Sequence, residues 1–95
     1  LDPLTRTRIH LARALAFTPD ILLVDHLSAG VPRSDVPALA GQVRRVCAAR
    51  GIGCLTLTAD DEFADVVAPR VLTLEPATGV LREARRGWFG RGSRR

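Results

Sequence analysis

The sequence predicts an α/β protein built around a parallel sheet. Segments with apolar residues at steps of three and four alternate along the chain with short runs rich in Ile, Leu, Val and Thr. Such alternation is typical of βαβ units, in which a helix connects each strand to the next parallel one. The 95 residues suffice for one small domain or part of one, and a hydrophobic content of 46% is ordinary for a folded protein.

The first two helices are indicated by apolar spacing and by their ends. Residues 5–17 have helical periodicity, and Pro19 with Asp20 ends that segment. Ser34 is suited to cap a second helix, and Gly51 is suited to end it. The apolar stripe predicted for this helix comprises Val36, Leu39, Ala40, Val43, Val46 and Cys47.

The strands are predicted from short apolar runs, at residues 21–25, 54–58, 71–74 and 80–82. The first is an all-apolar run that ends in Asp25, which predicts a strand buried on both faces of the sheet, and the run at 54–58 is predicted to be a second buried strand. A third helix begins after Thr58 or Asp60, has an acidic first turn, and ends at Pro69. A turn at 76–79 leads the chain into the short last strand.

The charges divide the chain into a body at residues 1–84 and a basic tail at 85–95. Five of the fourteen cations, all arginines, lie in the tail, and the other nine against ten acidic residues leave the body at −1. A nearly neutral body is not typical of a nucleic-acid-binding domain, so we expect no nucleic-acid partner. The tail shows no periodicity and is predicted to be flexible. Trp88 and Phe89 between arginines suit contact with an anionic membrane surface, and a functionless end is the alternative.

Nothing in the sequence indicates a membrane span or a secretory signal. The apolar run at 21–24 is far shorter than the roughly 20 residues that a span requires. No basic segment followed by an apolar one opens the chain. Cys47 and Cys54 match no metal-ligand spacing, and we predict that both are buried, reduced thiols of a cytosolic protein.

Three segments carry a resemblance to a known family. Residues 6–15 read Arg-Thr-Arg-Ile-His-Leu-Ala-Arg-Ala-Leu, residues 19–25 read Pro-Asp-Ile-Leu-Leu-Val-Asp, and residues 64–81 contain Ala-Asp, a strand, a glycine turn and another strand. In this order they resemble the C-terminal portion of the nucleotide-binding domain of ATP-binding-cassette (ABC) proteins, from the signature helix through the Walker B strand. The resemblance extends from Leu1 to about Glu83.

The resemblance implies a three-layer, P-loop NTPase-like parallel sheet that is only partly present. The phosphate-binding Gly-x-x-x-x-Gly-Lys-Ser/Thr loop does not occur, since the chain contains no Lys at all. The family's sheet would place the strand carrying that loop between the strands at 54–58 and 71–74. Without it, those two strands would have unpaired edges.

The resemblance also implies a site for ATP and Mg²⁺. Asp25 ends the Walker B-like strand and would hold Mg²⁺ through water. His26 stands where the family has its catalytic Glu, Ala59 where it has its switch His, and Pro32 where its D-loop ends in Asp. The signature loop would fall at Leu1, Asp2, Pro3, Leu4 and Thr5, in place of Leu-Ser-Gly-Gly-Gln.

These departures predict that hydrolysis is weak or lost. His26 carries no negative charge to orient the attacking water, and Ala59 cannot contact a γ-phosphate. Asp2 would bring like charge to that phosphate, and Pro3 lacks an amide proton. The alternatives are local: Asp25 caps the loop after its strand, His26 makes a hydrogen bond within that loop, and the acidic run at 60–62 is a first helical turn or a metal cluster.

The implied function is ATP binding, with little turnover, coupled to another subunit. The partners would be a second ATP-binding domain, in a dimer, and a membrane-spanning subunit, which would place the protein in the cytoplasm at the inner face of the membrane. A non-catalytic pseudo-ATPase with a structural or regulatory role is the first alternative, and it would bind nucleotide without turnover. A phospho-receiver is the second, because residues 19–25 and 55–59 also resemble its phospho-acceptor strand and its Thr-bearing strand. Glu75 stands where a receiver has Lys, and phosphorylation by an acyl phosphate would distinguish the two classes.

Overall fold

The computed structural model describes residues 2–83, so Leu1, residue 84 and the basic tail predicted at 85–95 lie outside the described residues. The elements in chain order are α1 (Pro3–Leu15), β1 (Ile21–Asp25), a 3₁₀ turn (Arg33–Asp35), α2 (Val36–Arg50), β2 (Gly53–Leu57), α3 (Asp61–Val67), β3 (Leu72–Glu75) and β4 (Val80–Glu83). The predicted α/β order is confirmed. Between Asp2 and Glu83, every helix is too short or too polar to cross a bilayer.

The start of α1 falls within the segment that the resemblance assigns to the signature loop. Asp2 is the N-cap, and its carboxylate accepts hydrogen bonds from the Thr5 backbone N–H at 2.8 Å and the Thr5 hydroxyl at 3.1 Å. These bonds, led by the one from the backbone, lower the pKa of Asp2 because they favour its ionised form. Pro3 occupies the first helical position, where its missing N–H has no intrahelical partner to lose. Pro3, Leu4 and Thr5 are therefore the first turn of a helix rather than a loop.

For α2, the structure confirms the predicted apolar stripe and the predicted carboxyl end but not the predicted N-cap. Val36, Leu39, Ala40, Val43 and Cys47 are buried, and Val46 is half-buried. Gly51 caps the carboxyl end with φ +66°, a left-handed conformation that glycine adopts without a steric penalty. The prediction that Ser34 caps the helix is wrong, because the chain winds directly from Pro32 through the 3₁₀ turn into α2, with the Asp35 N–H bonded to the Pro32 carbonyl at 2.9 Å.

β1 and β2 form a two-stranded parallel sheet that is covered on one face. Leu22 and Val24 belong to the buried core together with residues of α2 and α3. On the opposite face, Ile21, Leu23, Leu55 and Leu57 are between 58% and 71% exposed. The prediction that these strands are buried on both faces is therefore wrong for the described residues, because no described segment covers the second face. The predicted burial of Cys54 is wrong as well, since its side chain is exposed at β2.

α3 and the β3–β4 hairpin complete the described chain. The Asp60 carboxylate accepts a hydrogen bond from the Phe63 N–H at 3.2 Å, which identifies Asp60 as the cap of α3. The Thr58 hydroxyl in turn accepts one from the Asp60 N–H at 3.0 Å. Phe63 is fully buried, and α3 packs on α2. Within the described residues, β3 pairs antiparallel with β4 around Gly79 (φ +73°) and does not join the β1–β2 sheet.

Candidate functional site

The parallel pairing of β1 and β2 brings the ends of both strands to one edge of the sheet. Asp25, the last residue of β1, is in register with Leu57, the last residue of β2. The His26 N–H extends the ladder by donating to the Leu57 carbonyl at 2.8 Å. The loops that follow the two strands therefore begin side by side. Ligands of open α/β sheets bind outside the carboxyl ends of the strands, which is the position of these loops.

An open cleft lies between these two loops. Its volume is about 620 Å³. The lining residues come from the loop after β1, the 3₁₀ turn, the loop after β2 and the first turn of α3: His26, Ser28, Ala29, Gly30, Val31, Arg33, Thr58, Ala59, Asp60, Asp61 and Glu62. The wall that follows β1 thus carries small side chains and Arg33, and the wall that follows β2 carries Thr58, Ala59 and the acidic residues at 60–62.

The structure brings together two of the site residues expected from the resemblance. His26 and Ala59 both line the cleft. Asp25 is not among its lining residues, and neither are the residues at positions 2–5 in the first turn of α1. Leu1 lies outside the described residues. The cleft is therefore defined by the two strand ends, without a contribution from the segment expected as a signature loop.

Asp25 and His26 form an exposed pair at the end of β1. The Asp25 Oδ1 and His26 Nε2 atoms are 3.6 Å apart, with the two side chains 74% and 59% exposed. His26 has φ +51°, a left-handed conformation that costs a non-glycine residue roughly 1–2 kcal/mol. Its backbone bond to Leu57 holds this conformation in place. The turn directs the chain away from the sheet immediately after Asp25, which leaves the Asp25 carboxylate accessible.

A polar network that sequence analysis did not identify connects the two loops. Arg33 donates to both carboxylate oxygens of Asp60, at 2.7 and 3.0 Å, and to Glu62 Oε1 at 2.8 Å. The Ser28 hydroxyl donates to Asp60 Oδ2 at 2.8 Å. Because Ser28 and Arg33 follow β1 while Asp60 follows β2, the network fixes the two walls of the cleft relative to each other. Such a bidentate arginine–carboxylate pair is a strong, geometrically specific contact.

The network includes two of the three acidic residues at 60–62. Asp60 caps α3 and pairs with Arg33, and Glu62 pairs with the same arginine. Among residues 2–83, no group of three or more His, Cys, Asp or Glu side chains is placed to hold a metal ion. The interpretation as an acidic first helical turn therefore accounts for these residues.

The network also shifts the pKa values of Asp60 and Arg33, the two groups that it pairs. The hydrogen bonds from Arg33, followed by those from Ser28 and the Phe63 N–H, hold the pKa of Asp60 well below its ordinary value of 3.8. Asp60 in turn raises the pKa of Arg33. A carboxylate with a lowered pKa stabilises the folded state fully above the pKa it has when unfolded, and the stabilisation is lost as the pH falls further.

We predict that Asp60→Asn weakens the acid sensitivity of the fold. In the wild-type protein, the contribution of Asp60 should be complete above about pH 5 and should decline as the pH falls below 3.8. Asp60→Asn should be less stable at neutral pH, and its stability should fall less steeply between about pH 4 and pH 2. Urea unfolding at a series of pH values measures both effects.

Asp61→Asn is the matched control, since Asp61 is an exposed carboxylate one residue further along the same helix start. It should keep the wild-type slope. Equal slopes for Asp60→Asn and the wild-type protein would contradict the prediction.

Comparison with known proteins finds one similar sequence to report. The sequence is similar to an ATP-binding protein of the ABC type, which supports an ABC ATPase-like domain. That relative is the probable iron export ATP-binding protein FetA of Escherichia coli (strain K12), with 31% identity over 80 residues, or 84% of this chain. The chain spans 35% of the relative's length. No family model matches the sequence, and no solved structure matches it.

Proposed function

We propose that this chain is the C-terminal portion of an ABC nucleotide-binding domain and contributes one wall of an ATP site. The observation that carries the proposal is the parallel pairing of β1 with β2, which brings their last residues, Asp25 and Leu57, to one edge of the sheet. The loops that follow contain His26 and Ala59, which both line the cleft. In the family that this sequence resembles, the Walker B carboxylates and the switch His occupy these positions. The similarity to an ATP-binding protein over most of the chain supports the same assignment.

The residues at this edge fit Mg²⁺ with a single carboxylate. Asp25 is exposed, and carboxylate oxygen is a preferred ligand of Mg²⁺, which usually retains several waters and binds substrate phosphates. Bound there through water, Mg²⁺ would neutralise phosphate charge. The His26 Nε2 atom lies 3.6 Å from the Asp25 Oδ1 atom, beside the proposed cation position. The phosphate-binding amides and Lys of the family would come from another segment, since this chain has no Lys.

The uncovered sheet face supports a further segment of the same domain. Four apolar side chains are exposed there and do not contribute the stabilisation that burial would give. They are Ile21, Leu23, Leu55 and Leu57. Within the described residues, β2 pairs with β1 alone, so its other edge lacks a neighbouring strand. We propose that the strand carrying the phosphate-binding loop pairs along this edge and that its following helix covers the apolar face.

The cleft favours ATP binding with little turnover. A His replaces the carboxylate that would orient water, and the Ala59 methyl group replaces an imidazole. Asp2 and Pro3, which stand at the expected signature position, form the N-cap and the first residue of α1.

We propose that the protein acts in the cytoplasm at the inner face of the membrane, with a second ATP-binding domain and a membrane-spanning subunit. The same substitutions favour a pseudo-ATPase, in which nucleotide binding alone regulates a partner, as the second candidate.

We predict that the natural-length protein binds Mg-ATP but turns it over more slowly than about 1 s⁻¹. His26→Glu should restore little activity, because Ala59 and the altered signature position remain. Steady-state phosphate release from both proteins measures the effect. Wild-type turnover at or above about 1 s⁻¹ would contradict the prediction.

Two single substitutions test the assignment of Asp25 as the Mg²⁺ ligand, independently of the turnover rate. Asp25→Asn should weaken Mg²⁺-dependent ATP binding by about tenfold or more, because it removes the only charged ligand that we assign to the cation. Asp20→Asn is the control, since Asp20 is an exposed carboxylate at the opposite end of β1. Equal binding by the two variants in calorimetric titration would reject the Asp25 assignment.

A further inference from the structure

The two long helices of the described chain carry arginines and no acidic residue. α1 and α2 together contain six of the nine arginines at residues 2–83 and none of the ten acidic residues. Their formal charge is therefore +6, and the other described residues carry −7. The nearly neutral total of the body thus results from two regions of opposite charge. The six arginines are Arg6, Arg8, Arg13, Arg44, Arg45 and Arg50.

The two helices lie side by side, so their charges belong to one surface. The Arg8 Nε atom of α1 donates to the Gln42 side-chain oxygen of α2 at 3.1 Å. Near the carboxyl ends of both helices, Arg50 donates to the Leu15 carbonyl at 3.5 Å. The helices therefore run in the same direction, and both of these contacts join an arginine to a neutral group. We call this side of α1 and α2 the two-helix basic surface.

This surface faces away from the sheet. Arg13 lies two residues from the buried Leu15, and Arg45 lies two residues from the buried Val43. Two residues correspond to about 200° around a helix, so each arginine is on the side opposite the core. Both arginines are exposed, and neither forms an ion pair within residues 2–83.

The further segment that we propose for this domain would lie elsewhere. α1 and α2 pack on the covered face of the β1–β2 sheet, since Leu15, Leu22 and Val43 belong to one buried cluster. The proposed strand pairs along the edge of β2, and its helix covers the opposite face. Arginine is almost never fully buried without a charged partner, and neither α1 nor α2 supplies one. We therefore expect the two-helix basic surface to face a partner outside the domain.

The chemistry of the surface favours anionic phospholipid headgroups. A guanidinium group donates two parallel hydrogen bonds to phosphate oxygens, and clusters of cationic side chains are attracted to anionic lipids. Ile9 in α1 is 41% exposed and Phe17 just after it is 85% exposed, and apolar groups among arginines suit the boundary between headgroups and acyl chains. Two helices side by side also form a broad surface, whereas the major groove of a nucleic-acid duplex admits a single helix.

We propose that the two-helix basic surface binds the anionic headgroups of a phospholipid membrane. The choice of a membrane over another anionic partner rests on the proposed function, which places the protein at the inner face of the membrane, whereas the charge of the surface does not. The same headgroups repel the acidic remainder of the described chain, including the acidic wall of the cleft at 60–62. The protein would therefore bind with α1 and α2 toward the lipid and with the cleft away from it.

Sedimentation of the natural-length protein with vesicles tests the choice of partner. The protein should sediment with vesicles of phosphatidylcholine that contain phosphatidylglycerol and should stay in solution with pure phosphatidylcholine. Raising the salt from about 0.1 M to about 1 M should release it, because the Debye length falls from about 10 Å to about 3 Å. Equal binding to both kinds of vesicle, or no binding to either, would overturn the proposal.

Two double variants with the same net charge locate the contact. Arg13→Gln with Arg45→Gln removes two charges from the two-helix basic surface and should lower the partition coefficient for anionic vesicles about tenfold or more. Arg70→Gln with Arg82→Gln removes two exposed charges at the β3–β4 hairpin and should lower it less than about twofold. All four side chains are exposed, so circular dichroism should show both variants folded. Equal losses in the two variants would show an effect of net charge alone and would overturn the proposal.

Three further measurements separate this proposal from its neighbours. If deletion of residues 85–95 abolishes vesicle binding while Arg13→Gln with Arg45→Gln retains it, the tail is the contact and the proposal is overturned. Tighter binding of the wild-type protein to duplex DNA than to anionic vesicles, lost in the same double variant, would identify a nucleic-acid surface and overturn it as well. Mg-ATP binding by this variant should equal that of the wild-type protein, because neither arginine lines the cleft. Absence of ATP binding in both, with vesicle binding as expected, would reject the proposed ATP site and leave the membrane contact standing.

Discussion

Residues 1–95 taken alone should aggregate or unfold in dilute urea, and they should not bind ATP detectably. The β1–β2 sheet has a second apolar face that the described residues leave in water. A domain of this size has a stability of only about 5–10 kcal/mol when its core is complete, so an uncovered face and a missing neighbouring strand can remove most of it. Exposed apolar sheets with free edges also associate with one another.

Two variants of the isolated chain separate surface association from loss of the core. Leu23 and Leu55 are cross-strand partners on the uncovered face, 71% and 58% exposed. Leu23→Lys with Leu55→Glu replaces them by opposite charges, which should improve solubility without lowering the free energy of unfolding. Leu22→Lys is the contrasting variant, because Leu22 is 5% exposed on the covered face and should not tolerate a charge.

Urea denaturation followed by circular dichroism measures the stability of the isolated chain. A single cooperative transition with a midpoint above roughly 3 M would show that the chain is stable without further segments. Calorimetric titration with Mg-ATP measures binding. Phosphate affinity in P-loop proteins comes mainly from backbone amides and a Lys that this chain lacks. Micromolar binding by residues 1–95 would therefore contradict our assignment of the nucleotide site.

Local signals predicted the parts of the fold that depend on neighbouring residues. The buried stripe of α2 could be predicted from the apolar spacing within that helix. The left-handed conformation of Gly51 could be predicted because glycine is the preferred residue just after the end of a helix. The sequence also contains a signal for the start of α1, because Asp and Pro are preferred residue types at the N-cap and the first helical position, where Asp2 and Pro3 lie. The resemblance to a signature loop outweighed that signal, so the helix was predicted to begin at residue 5 rather than at Pro3.

The remaining features depend on contacts between distant parts of the chain. The apolar run of β1 predicted burial on both faces, but burial depends on which segments cover the sheet, and Leu23 is 71% exposed. The Arg33–Asp60 pair joins residues 27 positions apart, and neither residue stands in a pattern that identifies its partner. The left-handed His26 likewise depends on its bond to Leu57 of the neighbouring strand. Sequence analysis therefore located His26 and Ala59 but not the network that shapes the cleft between them.

Phe63→Ala should lower the free energy of unfolding by about 3–5 kcal/mol, because it removes a fully buried aromatic side chain and leaves a cavity. Phe63 lies in the first turn of α3, the helix that packs on α2 and begins at the Arg33–Asp60 network. Alanine favours a helix more than phenylalanine does, so the loss would come from packing rather than from helix propensity. Phe17→Ala is the matched control, since Phe17 is 85% exposed and its removal should change the free energy by less than about 0.5 kcal/mol. Urea unfolding of both variants of the natural-length protein measures the difference, and similar losses for the two would show that Phe63 is not a main contributor to the core.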